Sequence, residues 1–355
     1  MSKIIEYREL QAMKNVLVIV FNNFTNDNRV LKESLSLKKQ GYNVQVLALH
    51  KKSLKEYEEI DGIKVHRIKL VTKRLPKVFY IQLIKITELI IKIVSKYRNV
   101  DIIHCNDLDT LPVGYIIKML NRCKSKIVYD AHEYETERKP KQKFWKKRLL
   151  QFVEGFFIKS ADTVFSVSNS IANEYVRLYK IKKPILILNC PPYNITKKDI
   201  FRKNLSIRKE QRIFLYQGGF QPNRGIEMIL ETFAGLEDQK NVIVFMGNGN
   251  LHGLIDDYAQ KNENIYLVPS VSPNELMDYT SSADVGLLLY EDSCLNHRYC
   301  LPNKLFEYIM AKIPIVINDL PEVKKVVTYE KIGWVLKRYD ADCLKDIISK
   351  IQENK

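Results

Sequence analysis

LPNKLFEYIMAKIPIVINDLPE, residues 301–322, is the stretch whose reading decides the fold. A loop enters a helix at Pro302-Asn303, the helix runs through Met310 and Ala311, and an apolar strand, Ile313 to Ile317, ends at Asn318-Asp319. Asn303, Lys304 and Glu307 therefore place a donor, a cation and a carboxylate in the first turns of a helix. A helix start presents unpaired backbone N–H groups and the positive end of the helix dipole, so the ligand it favours is an anion, and a phosphate fits.

Working outward, the 355 residues exceed a usual single core and imply two domains. Charge divides the chain in the same way. Residues 1–190 hold 36 Lys+Arg against 19 Asp+Glu, whereas residues 191–355 hold 21 against 22, so the net charge of +16 belongs to the first half. A polyanionic surface, membrane or nucleic acid, is the partner such a half attracts. The six cysteines form no CxxC pair and no ligand ladder, which fits reduced thiols in a cytosolic protein. MSKIIEYRELQ alternates charged and apolar residues without a long apolar core, and is expected to be a short cytosolic extension.

In the first half, Val16 to Phe21 is a fully apolar run of the kind buried in a parallel sheet. An asparagine-rich loop, Asn22, Asn23 and Asn26 to Asn28, leads to a helix over Arg29–Lys39, closed by Gly41, and then to the strand YNVQVLAL. This is the opening of a doubly wound fold. Val78 to Arg98 is long and apolar, yet Gln82, Lys85, Glu88, Lys92 and Lys96 make a polar stripe with a charge nearly every turn. That argues against a membrane span and for a helix packed in the domain, with contact to a bilayer surface as the second reading. DIIHCND (101–107) and KIVYDAHEYETE (126–137) are further strands, whose His104, Asn106, Asp107, Asp130, His132 and Glu133 should gather beyond the strands' carboxyl ends. RKPKQKFWKKR (138–148) holds seven basic side chains around Phe144 and Trp145. It reads either as a solvated loop or, through Lys143, Phe144, Trp145, Lys146, Lys147 and Arg148, as a docking surface for anionic lipid head groups. Nucleic acid is disfavoured because no recognition motif accompanies the charge.

ADTVFSVSNSIANEY (161–175) gives another strand and a helix capped by Ser168 or Asn169, and the turn-rich LILNCPPYNITKKD marks a linker near 190–200. The second half repeats the pattern. Ile213 to Tyr216 is a strand followed by a glycine loop, with Arg224 ahead of a helix; NVIVFMGNGN and NIYLVPSVSPNEL supply two more strands, and ADVGLLLY (283–290) a fourth. Gly218 and Gly219 let a ligand approach the backbone, and Arg224 is placed to fork onto phosphate oxygens.

The array YQGGFQPNRGIEMI, FMGNGN and VPSVSPNELMDYTSSADVGLLLYEDSCLNHRYCLPNKLFEYIMAKIPIVINDLPE resembles the donor-binding domain of glycosyltransferase family 4, over about residues 213–335. NDNRVLKESLSLKKQGYNVQVLA and VYDAHEYETE resemble the same family more loosely. The resemblance implies an α/β chain with two Rossmann-like doubly wound domains facing a central cleft, the GT-B arrangement. The expected division is an acceptor-side domain over 1–190, a linker over 191–200, a nucleotide-sugar-binding domain over 201–335, and a C-terminal helix over 336–355 that packs back across the cleft.

By position, the resemblance assigns Glu307 to the donor ribose, Asn303 and Lys304 to the donor sugar and diphosphate, and Arg224 to neutralising the diphosphate above Gly218 and Gly219. Gly247 joins the donor loops, Pro269 and Val271 hold the base, and His132 lies near the transferred sugar. The expected catalytic set is His132, Arg224 and Lys304. Two departures stand out. Tyr299 occupies the place of the first glutamate of the family's Glu, seven residues, Glu motif, with Asn296 or His297 as substitutes, and FNNFTNDN replaces a glycine-rich loop. The implied activity is transfer of a sugar from a nucleoside diphosphate sugar to a glycan or lipid-linked acceptor, with retention, no bound metal and no other cofactor. The expected location is cytoplasmic, peripheral on the inner face of the plasma membrane. A nucleotide-sugar epimerase and a non-catalytic binding module remain the alternatives.

Overall fold

The computed structural model describes residues 13–353 apart from 26, 75, 77, 78, 98, 139, 141 and 194–196. The leader, Asn26, the expected helix ends at Val78 and Arg98, Lys139 and Lys141 of the basic run, and the middle of the expected linker thus lie outside the described residues. The chain divides into two compact units. One holds the residues up to Thr136 with Lys141–Val167 and Ala172–Ile187, the other Glu137–Pro140, Ser168–Ile171 and Leu188–Lys355.

Through Leu186 the chain forms β1 (Asn15–Ile19), α1 (Asn28–Lys39), β2 (Asn43–Leu49), β3 (Tyr57–Ile60), β4 (Ile63–Ile68), α2 (Phe79–Lys96), β5 (Ile102–Asn106), α3 (Leu111–Leu120), β6 (Lys126–Ala131), α4 (Phe144–Ile158), β7 (Thr163–Ser166), α5 (Asn169–Tyr179) and β8 (Ile185–Leu186). The eight strands pair in the order β3-β4-β2-β1-β5-β6-β7-β8, and only the β3–β4 hairpin is antiparallel. Val16 to Ile19 are buried, as a central parallel strand covered on both faces requires. The hairpin escapes a reading by periodicity because YEEI is mostly polar, yet its neighbour β4 carries Arg67, which is fully buried. Arg67 donates to the carbonyls of Asn23 at 2.9 Å, Phe24 at 3.3 Å and Lys55 at 3.1 Å, and pairs with Glu58, so a buried cation shapes the asparagine-rich loop after β1. In α2, Glu88 accepts from the backbone N–H groups of Val71 at 2.7 Å and Thr72 at 3.0 Å rather than lying on a free polar stripe. No helix among the described residues is long and apolar enough to cross a membrane.

The second unit adds α6 (Ile200–Leu205), β9 (Arg212–Gly219), α7 (Ile226–Ala234), β10 (Asn241–Asn248), α8 (His252–Lys261), β11 (Ile265–Pro269), α9 (Leu276–Thr280), β12 (Val285–Leu288), α10 (Leu295–Tyr299), α11 (Asn303–Met310), β13 (Ile315–Ile317), α12 (Pro321–Tyr329), β14 (Gly333–Val335) and α13 (Ala341–Glu353). Its six strands are all parallel, in the order β11-β10-β9-β12-β13-β14. Two apolar layers cover the sheet. Phe214, Tyr216 and Phe245 pack with Ile229 and Phe233 of α7 and with Leu344, Ile347 and Ile348 of α13 on one face, and Leu215, Val244 and Ile315 pack with Leu305 and Tyr308 of α11 on the other. The C-terminal helix is thereby part of this unit's own core.

In each sheet the strand order reverses at one place, between β1 and β5 in the first and between β9 and β12 in the second. Connections leave in opposite directions there, opening a crevice beyond the carboxyl ends of the strands. In the second unit, β9 and β12 pair only at Phe214–Val285 and Leu215–Gly286, and then separate. The Tyr308 hydroxyl enters the gap, donating to the Leu215 carbonyl at 3.0 Å and accepting the Gln217 N–H at 3.3 Å. Its ring occupies the space a side chain on Gly286 would need, since a Cβ there would lie 2.5 Å from the ring.

Tyr308→Phe keeps the ring on Gly286 but removes the hydroxyl that joins the Leu215 carbonyl to the Gln217 N–H and leaves that buried N–H without its partner. The expected loss is about 2 kcal/mol or more of unfolding free energy in denaturant titration.

Candidate active site

The parting of β9 and β12 brings the second unit's charged groups together. β9 runs three residues past the expected end at Tyr216, so Gly218 and Gly219 are the strand's own last residues. A Cβ on Gly218 would stand 3.8 Å from Lys304 Nζ, and one on Gly219 3.6 Å from Arg224 Nη1, so the glycine pair lies between two cations. Gly218 also has φ of +115°, a conformation that side chains rarely adopt. It pairs with Gly247 of β10, which pairs with Pro269 of β11, so the ends of three adjacent strands stand level. Any side chain on Gly247 would collide with the Gly218 carbonyl, 1.9 Å from the Cβ position. Val271, just beyond, packs on the apolar layer below.

Lys304, in the first turn of α11, is buried, and its Nζ has no hydrogen-bond partner among the described residues. The ammonium sits 3.8 Å from the Tyr216 ring centroid and 5.4 Å from that of Tyr290, whose ring also faces the Arg224 guanidinium at 5.2 Å. Burial, with the Arg224 charge adding to it and Glu307 opposing it, lowers the Lys304 amine to about 7. Ring faces are weak substitutes for an anion, so the site has a standing affinity for negative charge. Asn303, at the helix start, is exposed and accepts a hydrogen bond from the Asn189 amide at 2.9 Å.

Glu307, one turn further, is held by Gln217, whose amide nitrogen donates to Glu307 Oε2 and whose oxygen accepts from Thr280 Oγ1 at 2.8 Å. Asn318 steadies Tyr290 through its backbone carbonyl at 2.6 Å. His297 lies in a short helix, its Nδ1 3.2 Å from Ser293 Oγ and its ring 5.4 Å from Tyr290, and Tyr299 closes that helix. Lys304, Arg224, Glu307 and the glycines were readable from sequence. Gln217, Thr280 and the two tyrosine faces were not, because an amide or a ring in a strand carries no spacing signal.

In the first unit, His132 stands just beyond the end of β6. Its Nε2 is 3.2 Å from Asp130 and 3.1 Å from the Asn106 amide oxygen, its Nδ1 is 3.6 Å from Asp107, and its backbone N–H donates to Asp107 at 3.3 Å. Asp130 is fully buried and receives Arg29 through Nε at 3.0 Å and Nη2 at 2.7 Å. Burial opposes the charged imidazole, but the Asp130 hydrogen bond and the Asp107 charge outweigh it and hold His132 up at about 9. Burial drives Glu33, beside Asp130, well above the carboxylate range and lowers His104 to about 4. His104 and Asn106 lie within β5 and Asp130 within β6, all buried, so of the residues expected beyond the strand ends Asp107, His132 and Glu133 stand there. Glu33, His104 and Asp130 each bring a ligand atom within 4.8 Å of the others, but the Arg29 fork already occupies Asp130 and repels a second cation. Arg29 and Glu33, on the helix after the asparagine loop, are site neighbours that the sequence did not single out.

The expected basic surface begins α4. Lys143 precedes the helix, Phe144, Trp145, Lys146 and Arg148 are exposed, Lys147 is half-buried, and Arg148 faces the Phe144 ring at 5.2 Å.

Two family models match the chain, Glycosyltransferase Family 4 over residues 28–191 and Glycosyl transferases group 1 over residues 197–355. An uncharacterized glycosyltransferase of Methanocaldococcus jannaschii is 22% identical over 319 residues, which cover 84% of this chain and 78% of that protein. The structure is similar to that of sucrose-phosphate synthase from Thermosynechococcus elongatus, with a TM-score of 0.76 at 16% identity, covering 96% of this chain and 90% of the other. It is also similar to Anabaena HepE in complex with UDP-glucose, with a TM-score of 0.72 at 14% identity and the same coverage.

The His132 pairing makes stability depend on pH. A histidine whose pKa rises on folding contributes fully below its unfolded value and loses that contribution as pH rises through the folded one. The stability gap between the protein and His132→Gln is expected to be on the order of 3 kcal/mol below about pH 6.5 and to close as pH rises through about 9. Urea midpoints at the two ends of this window measure it, and an unchanged gap would exclude a charged His132–Asp130 pair.

Proposed function

We propose, from the premise that this chain belongs to the GT-B glycosyltransferases of the family 4 type, that it moves a sugar from a nucleoside diphosphate sugar to a hydroxyl of a glycan or lipid-linked acceptor. The observation that carries the reading is the buried, unpartnered Lys304 ammonium beside Arg224, Gly218 and the start of α11. A diphosphate is the anion whose charge and reach suit two cations flanking a bare glycine backbone. Glu307, steadied by Gln217, is assigned to the ribose hydroxyls, and Gly247, Pro269 and Val271 to the base. His132, protonated at neutral pH, is assigned as a donor to a sugar hydroxyl. The binding of UDP-glucose by a similar structure supports the donor class.

In the reaction the bond from the anomeric carbon to the diphosphate oxygen breaks, and its electron pair leaves with the diphosphate. The acceptor oxygen forms the new bond to that carbon and passes its proton to the leaving phosphate. The anomeric configuration is retained. Negative charge grows on the diphosphate while the sugar becomes oxocarbenium-like, so cations fixed in advance near the phosphate lower the barrier. Lys304, Arg224 and the helix start supply that charge, and the proposed chemistry assigns no step to a metal. Each such donor is worth roughly 3 to 4 kcal/mol on the precedent of oxyanion sites. Nucleoside diphosphate released only when donor and acceptor are both present tests the reading. Donor turnover without acceptor, or donor binding alone, would replace it with epimerisation or a binding role.

Lys304→Met is expected to lower turnover more than about 100-fold while its melting temperature equals or exceeds that of the parent, because a buried unpaired cation costs stability. Normal transfer by this variant would remove the diphosphate assignment. Nucleoside diphosphate binding just above neutral pH should take up about one proton or less, since an anion beside the Lys304 amine raises its pKa from about 7. Calorimetry in buffers of different ionisation enthalpy reads this uptake, which Lys304→Met should abolish. Glu307→Gln should weaken nucleotide binding about tenfold, the size of one charged hydrogen bond, and unchanged affinity would refute the ribose role.

A further inference from the structure

Helix α4 carries a surface that the transfer chemistry does not use. Trp145, Leu149, Phe152 and Phe156 follow one another at helical steps and form one stripe about 16 Å long. Their side chains are 64%, 54%, 72% and 56% exposed. Single exposed apolar residues are ordinary, but an aligned set of this size marks a surface that meets something.

The opposite side of the helix is clamped. Glu154 is fully buried and accepts hydrogen bonds from the hydroxyls of Tyr129 at 2.8 Å, Tyr175 at 3.1 Å and Tyr179 at 2.6 Å. Rolling α4 to bury the stripe would strip three buried hydroxyls and a carboxyl of their partners, so the aromatic side stays outward. Tyr115 of α3 extends the surface, meeting Phe156 edge-to-face at 5.9 Å. Beside the stripe lies an open groove of about 850 Å³, lined by Tyr115, Arg148, Phe152, Phe156, Lys159 and Leu178 among others.

Charge identifies the partner. Between Lys143 and Lys159 the only carboxylate is the buried Glu154, whereas Lys143, Lys146, Arg148 and Lys159 are exposed. An occupant must therefore offer an apolar phase to the stripe and negative charge to its flanks. Nucleic acid would use separated rings as stacking platforms, and Leu149 in the middle of the stripe is no platform. We propose that the α4 stripe and its groove form a docking site for an anionic phospholipid bilayer. The aromatic side chains sit at the boundary of head groups and acyl chains, and the lysines and Arg148 meet lipid phosphates. This inference does not rest on the sugar-transfer reading, and its test is independent of turnover.

The test is co-sedimentation of the full chain with vesicles of phosphatidylcholine alone and of phosphatidylcholine mixed with phosphatidylglycerol. Binding is expected to be about tenfold or more stronger with the anionic lipid and to fall with salt. Phe152→Ser with Phe156→Ser should cut it about tenfold without altering the melting shift produced by a nucleoside diphosphate. Leu149→Gln serves as the milder variant should the double change unfold the protein. Equal binding to neutral vesicles, or undiminished binding by folded variants, would overturn the proposal. So would lipid-free self-association that the same substitutions abolish, which would make the occupant a second copy, or displacement of the protein from vesicles by single-stranded DNA.

Discussion

The second unit depends on one hydroxyl. Where β9 and β12 part, beyond the Leu215–Gly286 pair, the Gln217 N–H has no partner on β12, and a buried peptide group without a partner is costly. Tyr308 fills the gap from α11, and only because Gly286 leaves its ring room. That single contact sets the height and rotation of α11 on the sheet. It thereby places Lys304 one turn earlier against Gly218, and Glu307 within reach of Gln217. Residues of α11 that look like a list of functional groups in sequence are one rigid body hung on Tyr308.

Both units gather charged groups near the carboxyl ends of strands, in opposite styles. The second leaves an ammonium facing aromatic rings, a high-energy arrangement that an incoming anion relieves. The first satisfies its charges internally, with Arg29 on Asp130 and Asp130 on His132, so the imidazole is held protonated and oriented without a ligand. A site that must seize an anion gains from an unmet charge, whereas a site that must present one proton in one direction gains from a fully bonded one. Helix α4 shows a third pattern, a polar clamp inside and an aromatic stripe outside, the inverse of an ordinary surface helix.

Much of this was legible before the structure. Apolar runs such as NVIVFM declare buried parallel strands, because a strand covered on both faces cannot tolerate polar side chains. YQGGFQPNRG and LPNKLFE name the glycines and cations that the structure brings together, because bare backbone and fixed cations are demands that few residue types meet. The β3–β4 hairpin was missed because its alternation is polar on an edge, and its tie to the loop after β1 runs through the single buried Arg67. Gln217, Thr280 and Glu33 were missed because their importance lies in what they touch. Residues 138–148 were legible as charged and aromatic, as a solvated loop or a lipid-docking surface, and the structure begins α4 within them at Phe144.

The sequence by itself determined two α/β sheets, the confinement of positive charge to the first half, and the identity of the glycines and cations that gather at the end of β9. These are properties of composition and local order, and local chemistry suffices for them. Only the tertiary structure decided that Lys304 is buried against two tyrosine rings, that Arg29 forks onto Asp130, and that the face of α4 bearing Phe152 and Phe156 points outward. Each of these depends on groups from 14 to 101 residues apart, and no local pattern encodes the energy of a contact whose other half lies elsewhere in the chain.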